Sequence, residues 1–209
     1  MPGVPETAVP VEVLDRLPVS SPPPPWRLPA RAVVWVGTGL PRPAPAGAWP
    51  VTVAALVDYL DSPVGPYREV FAGVLVRRLG LPTVHVPFIA VDSLPSLRAG
   101  RVHWSLPKAL ATFAGDVGDR VSVAGEGWSI EVAVHSYGPR LPAAAPVLSA
   151  QGDRRTLVTV RGTVRAARVT VAAAGPTLGG WLGHGRHAGF VASGHVVVHP
   201  AGTRLAGIR

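Results

Sequence analysis

Apolar and polar positions alternate along much of the chain. In Trp128–His135 the apolar residues Ile130, Val132 and Val134 fall on one face. In Leu157–Val171 the residues Val158, Val160, Gly162, Val164 and Ala166 oppose Thr159, Arg161, Thr163 and Arg165. A period of two is the signature of a half-buried strand. Ile130, Val132, Val134, Val158, Val160 and Val164 are therefore expected to be buried. Shorter apolar runs predict further strands over Ala32–Gly37, Trp49–Leu60, Tyr67–Leu79 and Thr83–Val91. The second and third of these are joined by Asp61–Pro66, whose Gly and Pro residues suit a connection. Arg120–Ala124 pairs with Trp128–His135 as a hairpin, and His195–His199 is a last short strand.

Other signals fill the gaps. Leu40–Gly47 is a Pro-rich turn. Ser93–Gly100 predicts a single short helix with Ser93 as N-cap and Pro95 in the first turn. Gly175–Gly194 is rich in Gly and His. Residues 1–25 end in four successive prolines, which favour an extended conformation that cannot donate to a sheet. They predict a loosely held arm, followed by one domain over 26–209. Many strands, few helices and no strand–helix–strand rhythm predict a mainly β fold with minor α, an antiparallel barrel or sandwich.

Composition narrows the class. The chain has 209 residues, 47% of them hydrophobic, with 24 Gly and 24 Pro. That length suits one domain with a sizeable core. Cysteine is absent, which excludes disulfides, thiolate zinc sites and cysteine nucleophiles. Apolar stretches stay below the roughly 18 residues of a membrane helix. The N-terminus lacks the basic-then-apolar pattern of a signal peptide. A cytoplasmic protein without membrane contact is expected. The net charge of +8 invites a nucleic-acid partner. The arginines are scattered, however, with tight pairs only at Arg77-Arg78 and Arg154-Arg155, so no nucleic-acid partner is expected. His184, His187, His195 and His199 hint at a metal cluster, but no acidic residue follows Asp153, and no metal site is expected.

The charge has an unusual make-up: of 20 basic residues, 19 are Arg and one is Lys. Arginine has replaced lysine wherever a cation suffices. A guanidinium stays protonated, whereas burial can tune an amine into a nucleophile. Lys108 is thus a candidate for chemistry that Arg cannot perform. The alternative is the chance survival of an ordinary surface lysine.

The segment Asp92–Ala111, DSLPSLRAGRVHWSLPKALA, resembles the signature of the acetoacetate decarboxylase superfamily. The matching positions are Asp92, Pro95, Gly100, Arg101, Pro107 and Lys108. Upstream, Gly65-Pro66-Tyr67-Arg68-Glu69 resembles the family's Gly-x-Tyr-x-Glu loop. The resemblance runs from about Trp26 to the C-terminal strand. It implies an acetoacetate decarboxylase-like cone-shaped antiparallel β-barrel with the lysine inside, a symmetric homo-oligomer, and no cofactor.

By that resemblance the protein is a Schiff-base-forming lyase that decarboxylates a small oxo acid through a Lys108 iminium and enamine. The attacking amine must be unprotonated, below its ordinary pKa of about 10.4. Desolvation or a neighbouring cation activates such a lysine, as in acetoacetate decarboxylase itself. The neighbours Trp104, Leu106, Pro107, Leu110 and Phe113 fit desolvation, and Lys108 is expected to be buried without a carboxylate partner. Glu69 is the candidate catalytic acid, or else an edge carboxylate paired with Arg68 or Arg101. Arg101 is the candidate clamp for the substrate carboxylate, or else a partner of Asp92. Tyr67 and Trp104 are candidate substrate-binding walls. Three departures stand out. Ala109 replaces the second lysine common in the family, and Val102 replaces a glutamate. Ala54 stands where members that act on acetoacetate carry a further glutamate, and Asp58 shares its strand face by parity. These departures leave open another Schiff-base reaction, such as aldol cleavage, condensation or dehydration, or a catalytically silent barrel that binds a hydrophobic small molecule.

Overall fold

The computed structural model describes residues 3–39, 44–78 and 81–203. Leu79 and part of the Leu40–Gly47 turn lie outside the described residues. Twelve strands form one continuous sheet. In chain order they are β1 (Trp26–Thr38), β2 (Ala48–Tyr59), β3 (Tyr67–Arg78), β4 (Leu81–Val91), β5 (Lys108–Leu110), β6 (Thr112–Gly115), β7 (Arg120–Gly125), β8 (Trp128–Ser136), β9 (Leu141–Gln151), β10 (Arg154–Ala174), β11 (Gly185–Val198) and β12 (Gly202–Thr203). Helices are the minor component: α1 (Val11–Leu14), α2 (Leu94–Trp104) and α3 (Leu178–Leu182), plus a 3-10 turn at Pro5–Thr7. None of the described helices is long and apolar enough to cross a membrane.

Seven strands close into a ring in the order β11-β1-β2-β3-β4-β9-β10, with β10 returning to β11. Six of the seven seams are antiparallel. The β4–β9 seam is parallel and pairs only Val84 with Ser149, and β5 also joins β4 in parallel. These two exceptions follow from connectivity. The chain leaves β4 through α2 and returns in the same direction, which a hairpin cannot do.

Strand β10 runs for 21 residues and changes partners midway. Its first half pairs with β9 and turns Val158, Val160 and Val164 toward the ring interior. Its second half pairs with β8 and buries the opposite face, with Ala167, Val169 and Val171 at most 1% exposed. Side chains keep alternating along the strand, yet the buried face switches parity around Ala166 and Ala167. Ala166, expected inside, is exposed. Val158, Val160 and Val164 are half-buried because they face a cavity rather than packed side chains. Ile130 and Val132 are fully buried as expected, and Val134 partly.

The main core lies outside the ring, between its strands and the β6–β8 extension. Trp35, Leu56, Phe88, Ile130 and Trp181 fill it. Phe88 meets Trp128 edge to face at 5.2 Å, a favoured aromatic geometry. The Trp35 indole donates to the Leu182 carbonyl at 2.8 Å. A buried indole N–H needs such a partner.

The described part of the N-terminal arm is anchored to the domain. Glu6 is 5% exposed, and its carboxylate accepts from the Thr177 amide at 2.5 Å and the Thr177 hydroxyl at 2.8 Å. Val4 N–H donates to the Pro87 carbonyl, and Arg98 donates to the Val19 carbonyl. Proline content argued correctly against sheet pairing. It carried no information about these side-chain anchors.

Candidate active site

The site begins with α2. Ser93 is its N-cap, accepting from the Ser96 amide at 3.3 Å. At the other end Ser105 takes a left-handed φ of 55°, and Leu106 N–H donates to the Gly100 carbonyl at 3.0 Å. This turn folds Pro107-Lys108 back along the helix, and Lys108 starts β5 opposite Ile89. Arg101 fixes the return. Its Nε donates to the Lys108 carbonyl at 2.8 Å, and its Nη2 donates to the Thr7 carbonyl at 3.1 Å.

The lysine stem lies directly on the helix. A Cβ on Gly100 would come within 2.4 Å of Lys108 Cδ, so only glycine leaves room for the side chain there. One turn earlier, on the same helix face, the Ser96 hydroxyl accepts from Lys108 Nζ at 3.0 Å. The Gly-Arg pair thus has a local physical meaning. Gly100 lets the stem pass, and Arg101 holds the backbone that carries it.

Opposite the helix, β3 brings Glu69 to the amine. Lys108 Nζ donates to Glu69 Oε2 at 2.7 Å, with side-chain exposures of 4% and 7%. The expectation of a lysine buried without a carboxylate is corrected here. Strand parity turns Glu69 inward, while Arg68 turns outward to Asp92 at 3.2 Å. Neither Arg68 nor Arg101 pairs with Glu69; its partners are Lys108 and Tyr59, whose hydroxyl lies 3.4 Å from Oε1. The Tyr67 ring sits 5.2 Å from Nζ and 4.7 Å from the Tyr59 ring. Burial, followed by the Glu69 charge, pushes both tyrosine hydroxyls well above their ordinary value near 10, so both are proton-bearing at neutral pH. Burial lowers Arg101 from its usual value.

These groups open onto a cavity of about 510 Å³ enclosed by the ring. Lys108, Glu69, Tyr67 and Trp104 all line it. The Trp104 ring packs edge-on against Trp26 at 5.1 Å, and its indole donates to the His199 carbonyl at 2.9 Å. Arg101 does not line the cavity, because backbone carbonyls occupy its guanidinium. Ala54 and Ala109 are packed in the outer core, on the side away from the amine. Asp58 forms a 2.8 Å ion pair with Arg31 instead of facing the cavity, so it does not stand in for an inner carboxylate. Among the described residues no group of three or more His, Asp or Glu is placed to hold a metal.

Sequence reasoning missed Tyr59 and Ser96. Tyr59 was within reach: it ends β2 directly opposite Tyr67 across the predicted loop, and shares inward parity with Val57. Ser96 stands four residues before Gly100, which placed it on the same helix face.

The acetoacetate decarboxylase family profile matches residues 40–180. No curated protein matches the chain. Solved structures with the same fold include the acetoacetate decarboxylase of Legionella pneumophila, with 15% identity, 91% of each chain covered and a TM-score of 0.62. They also include the enduracididine biosynthesis enzyme MppR complexed with pyruvate, with 17% identity, 87% of this chain and 90% of that chain covered, and a TM-score of 0.57. An acetoacetate decarboxylase-like enzyme from Sphingomonas wittichii matches at 18% identity, over 88% of this chain and 92% of that chain, with a TM-score of 0.56. With its profile spanning two thirds of the sequence and this fold shared along most of its length, the chain belongs to the acetoacetate decarboxylase family.

Proposed function

We propose that the protein is a Schiff-base-forming lyase that decarboxylates a small oxo acid. One observation carries the reading: the sole lysine is buried in a cavity wall with its amine 2.7 Å from a buried carboxylate. Attack requires an Nζ that has given up its ammonium proton. Glu69 Oε2 is the group placed to take it, which frees the lone pair to add to the substrate carbonyl carbon. The carbinolamine oxygen then receives protons, one of them returned by Glu69, and leaves as water to give an iminium. In a 3-oxo acid the bond to the carboxylate then breaks, its electron pair moves through the new enamine double bond to the iminium nitrogen, and carbon dioxide departs. Protonation of the enamine carbon and hydrolysis release the ketone or aldehyde and restore the amine.

Tyr67 and Trp104 act as walls that orient the substrate and exclude water. Tyr59 holds the second oxygen of Glu69. Arg101 is a positioning residue, not a clamp for the substrate carboxylate: it acts through the Lys108 carbonyl.

Condensation is the second reading on the same iminium. The cavity exceeds what one small acid fills, the inner acids reduce to Glu69, and the MppR structures include one with the condensation product of pyruvate and imidazole 4-carboxaldehyde. Measuring carbon dioxide released from acetoacetate and other oxo acids, with and without an added aldehyde, separates the two. Release without aldehyde supports decarboxylation. Aldehyde consumption without carbon dioxide supports condensation, and neither outcome with any oxo acid sinks both.

A further inference from the structure

We propose that the cavity selects an oxo acid carrying an extended apolar substituent, with the carbonyl at Lys108 and the chain laid along the inner faces of β1, β10 and β11. This inference rests on the Schiff-base reading of the same site and adds the substrate class.

Volume is the first argument. About 510 Å³ equals the share of roughly seventeen waters at ~30 Å³ each. An oxo acid of four carbons and three oxygens fills less than half of that. The space is of the size that encloses ligands several times larger.

Chemistry of the wall is the second. The polar groups are gathered in one place: Tyr59 opposes Tyr67, Glu69 follows two residues on, and Lys108 faces them. Away from this cluster the inner faces of β1, β11 and β10 are mostly aliphatic or aromatic, although Thr156, Arg161 and His195 also reach the lining. Leu28 faces Val196 and Val160, and Trp26 faces Val198 and Val158. Next to these layers Ala30 stands level with Gly194 and Gly162, where the wall is nearly bare backbone. Along β10 the half-buried, cavity-lining residues Val158, Val160 and Val164 span six strand residues, or about 20 Å. A small acid bound at Lys108 leaves that length unfilled.

The third argument is what these residues lack. Val158, Val160, Val164 and Phe190 line the cavity yet are only half-buried and belong to neither packed core. Burying their exposed apolar area against a substrate chain is favourable in a way that a polar or very short substrate cannot provide. No charged inner-face side chain on the Leu28 and Trp26 registers opposes it.

The test uses the full chain and a series of straight 2-oxo acids from pyruvate to 2-oxodecanoate. Borohydride-trapped adduct on Lys108 is measured against acid concentration. The half-saturating concentration is expected to fall about fourfold per added methylene until the cavity is full. In Val160→Trp the fall should stop at a shorter chain than in the wild type. A flat or rising series in the wild type overturns the inference while leaving the Schiff-base reading intact. Displacement of 1-anilinonaphthalene-8-sulfonate by octanoate and decanoate, which have no oxo group, separates the other case. Alkanoates that bind with the same length dependence while no oxo acid is trapped at any length sink the Schiff-base reading and keep the apolar site. Failure of both series removes both.

Discussion

Replacing Gly100 by alanine tests whether Lys108 works from the position seen here. The new Cβ would lie 2.4 Å from Lys108 Cδ, 2.6 Å from Cε and 2.9 Å from Cγ, whereas ordinary contact begins near 3.4 Å. The stem must therefore move by about 1 Å, carrying Nζ away from Glu69 and Ser96. Alanine in a helix interior is itself more favourable than glycine by about 1 kcal/mol, and the lysine stem is flexible enough to yield. Stability should thus change by no more than about 1 kcal/mol, read from urea midpoints at unchanged slope. A misplacement of about 1 Å at a reacting group costs on the order of a hundredfold in rate. Single-turnover borohydride trapping with a saturating oxo acid should slow by about that factor. A variant that traps within about threefold of the wild type refutes the placement of the amine against α2. A loss of several kcal/mol in stability refutes the claim that the stem, not the helix, gives way.

Three further outcomes follow from the same geometry. Glu69→Gln keeps the shape but removes the proton acceptor, so turnover should fall about 10²–10⁴-fold in steady-state assays; unchanged turnover removes Glu69 from the proton path. Arg101→Ala should lower kcat by about tenfold or more with little change in KM, because the side chain holds the Lys108 carbonyl. A rise in KM alone would restore the carboxylate-clamp role. Tyr59 and Tyr67 have hydroxyls raised above the unfolded value, so their contribution to stability is complete below pH ~10 and is lost as pH rises further. Above that point the unfolded state releases protons that the folded state keeps, and unfolding free energy should fall by up to about 1.4 kcal/mol per pH unit for each tyrosine. Urea titrations from pH 9 to 11 check this, and Tyr59→Phe should flatten the slope by one tyrosine's share.

The fold was legible where alternation was strict and one-sided, as in Trp128–His135. It was less so in β10, because one strand buries opposite faces in its two halves. The sign was present in Arg161 and Arg165 against Arg168 and Thr170, where the polar residues change parity around Ala166 and Ala167. Strand β9, LPAAAPVLSAQ, carries no period of two and two prolines, and its place is dictated by its neighbour β10. Likewise β11 lies mostly inside the Gly- and His-rich stretch. In the site, Lys108, Glu69, Tyr67 and Trp104 were reachable from residue chemistry and family resemblance together, and all four line the cavity. Arg101 lies off the cavity, with its guanidinium taken by the Lys108 and Thr7 carbonyls, and such backbone partners leave no mark in a sequence. Asp58 does share the face of Ala54, but that face is the outer one, where it pairs with Arg31.

The central claim is that the only lysine forms the covalent intermediate. Incubation with an oxo acid and borohydride, followed by intact mass and peptide mapping, tests it without ambiguity, since the terminal amine is the sole competing amine. The account predicts one reduced adduct per chain, mapped to Lys108, and none in Lys108→Arg with the fold preserved. An adduct confined to the terminal amine, or undiminished in Lys108→Arg, would contradict it.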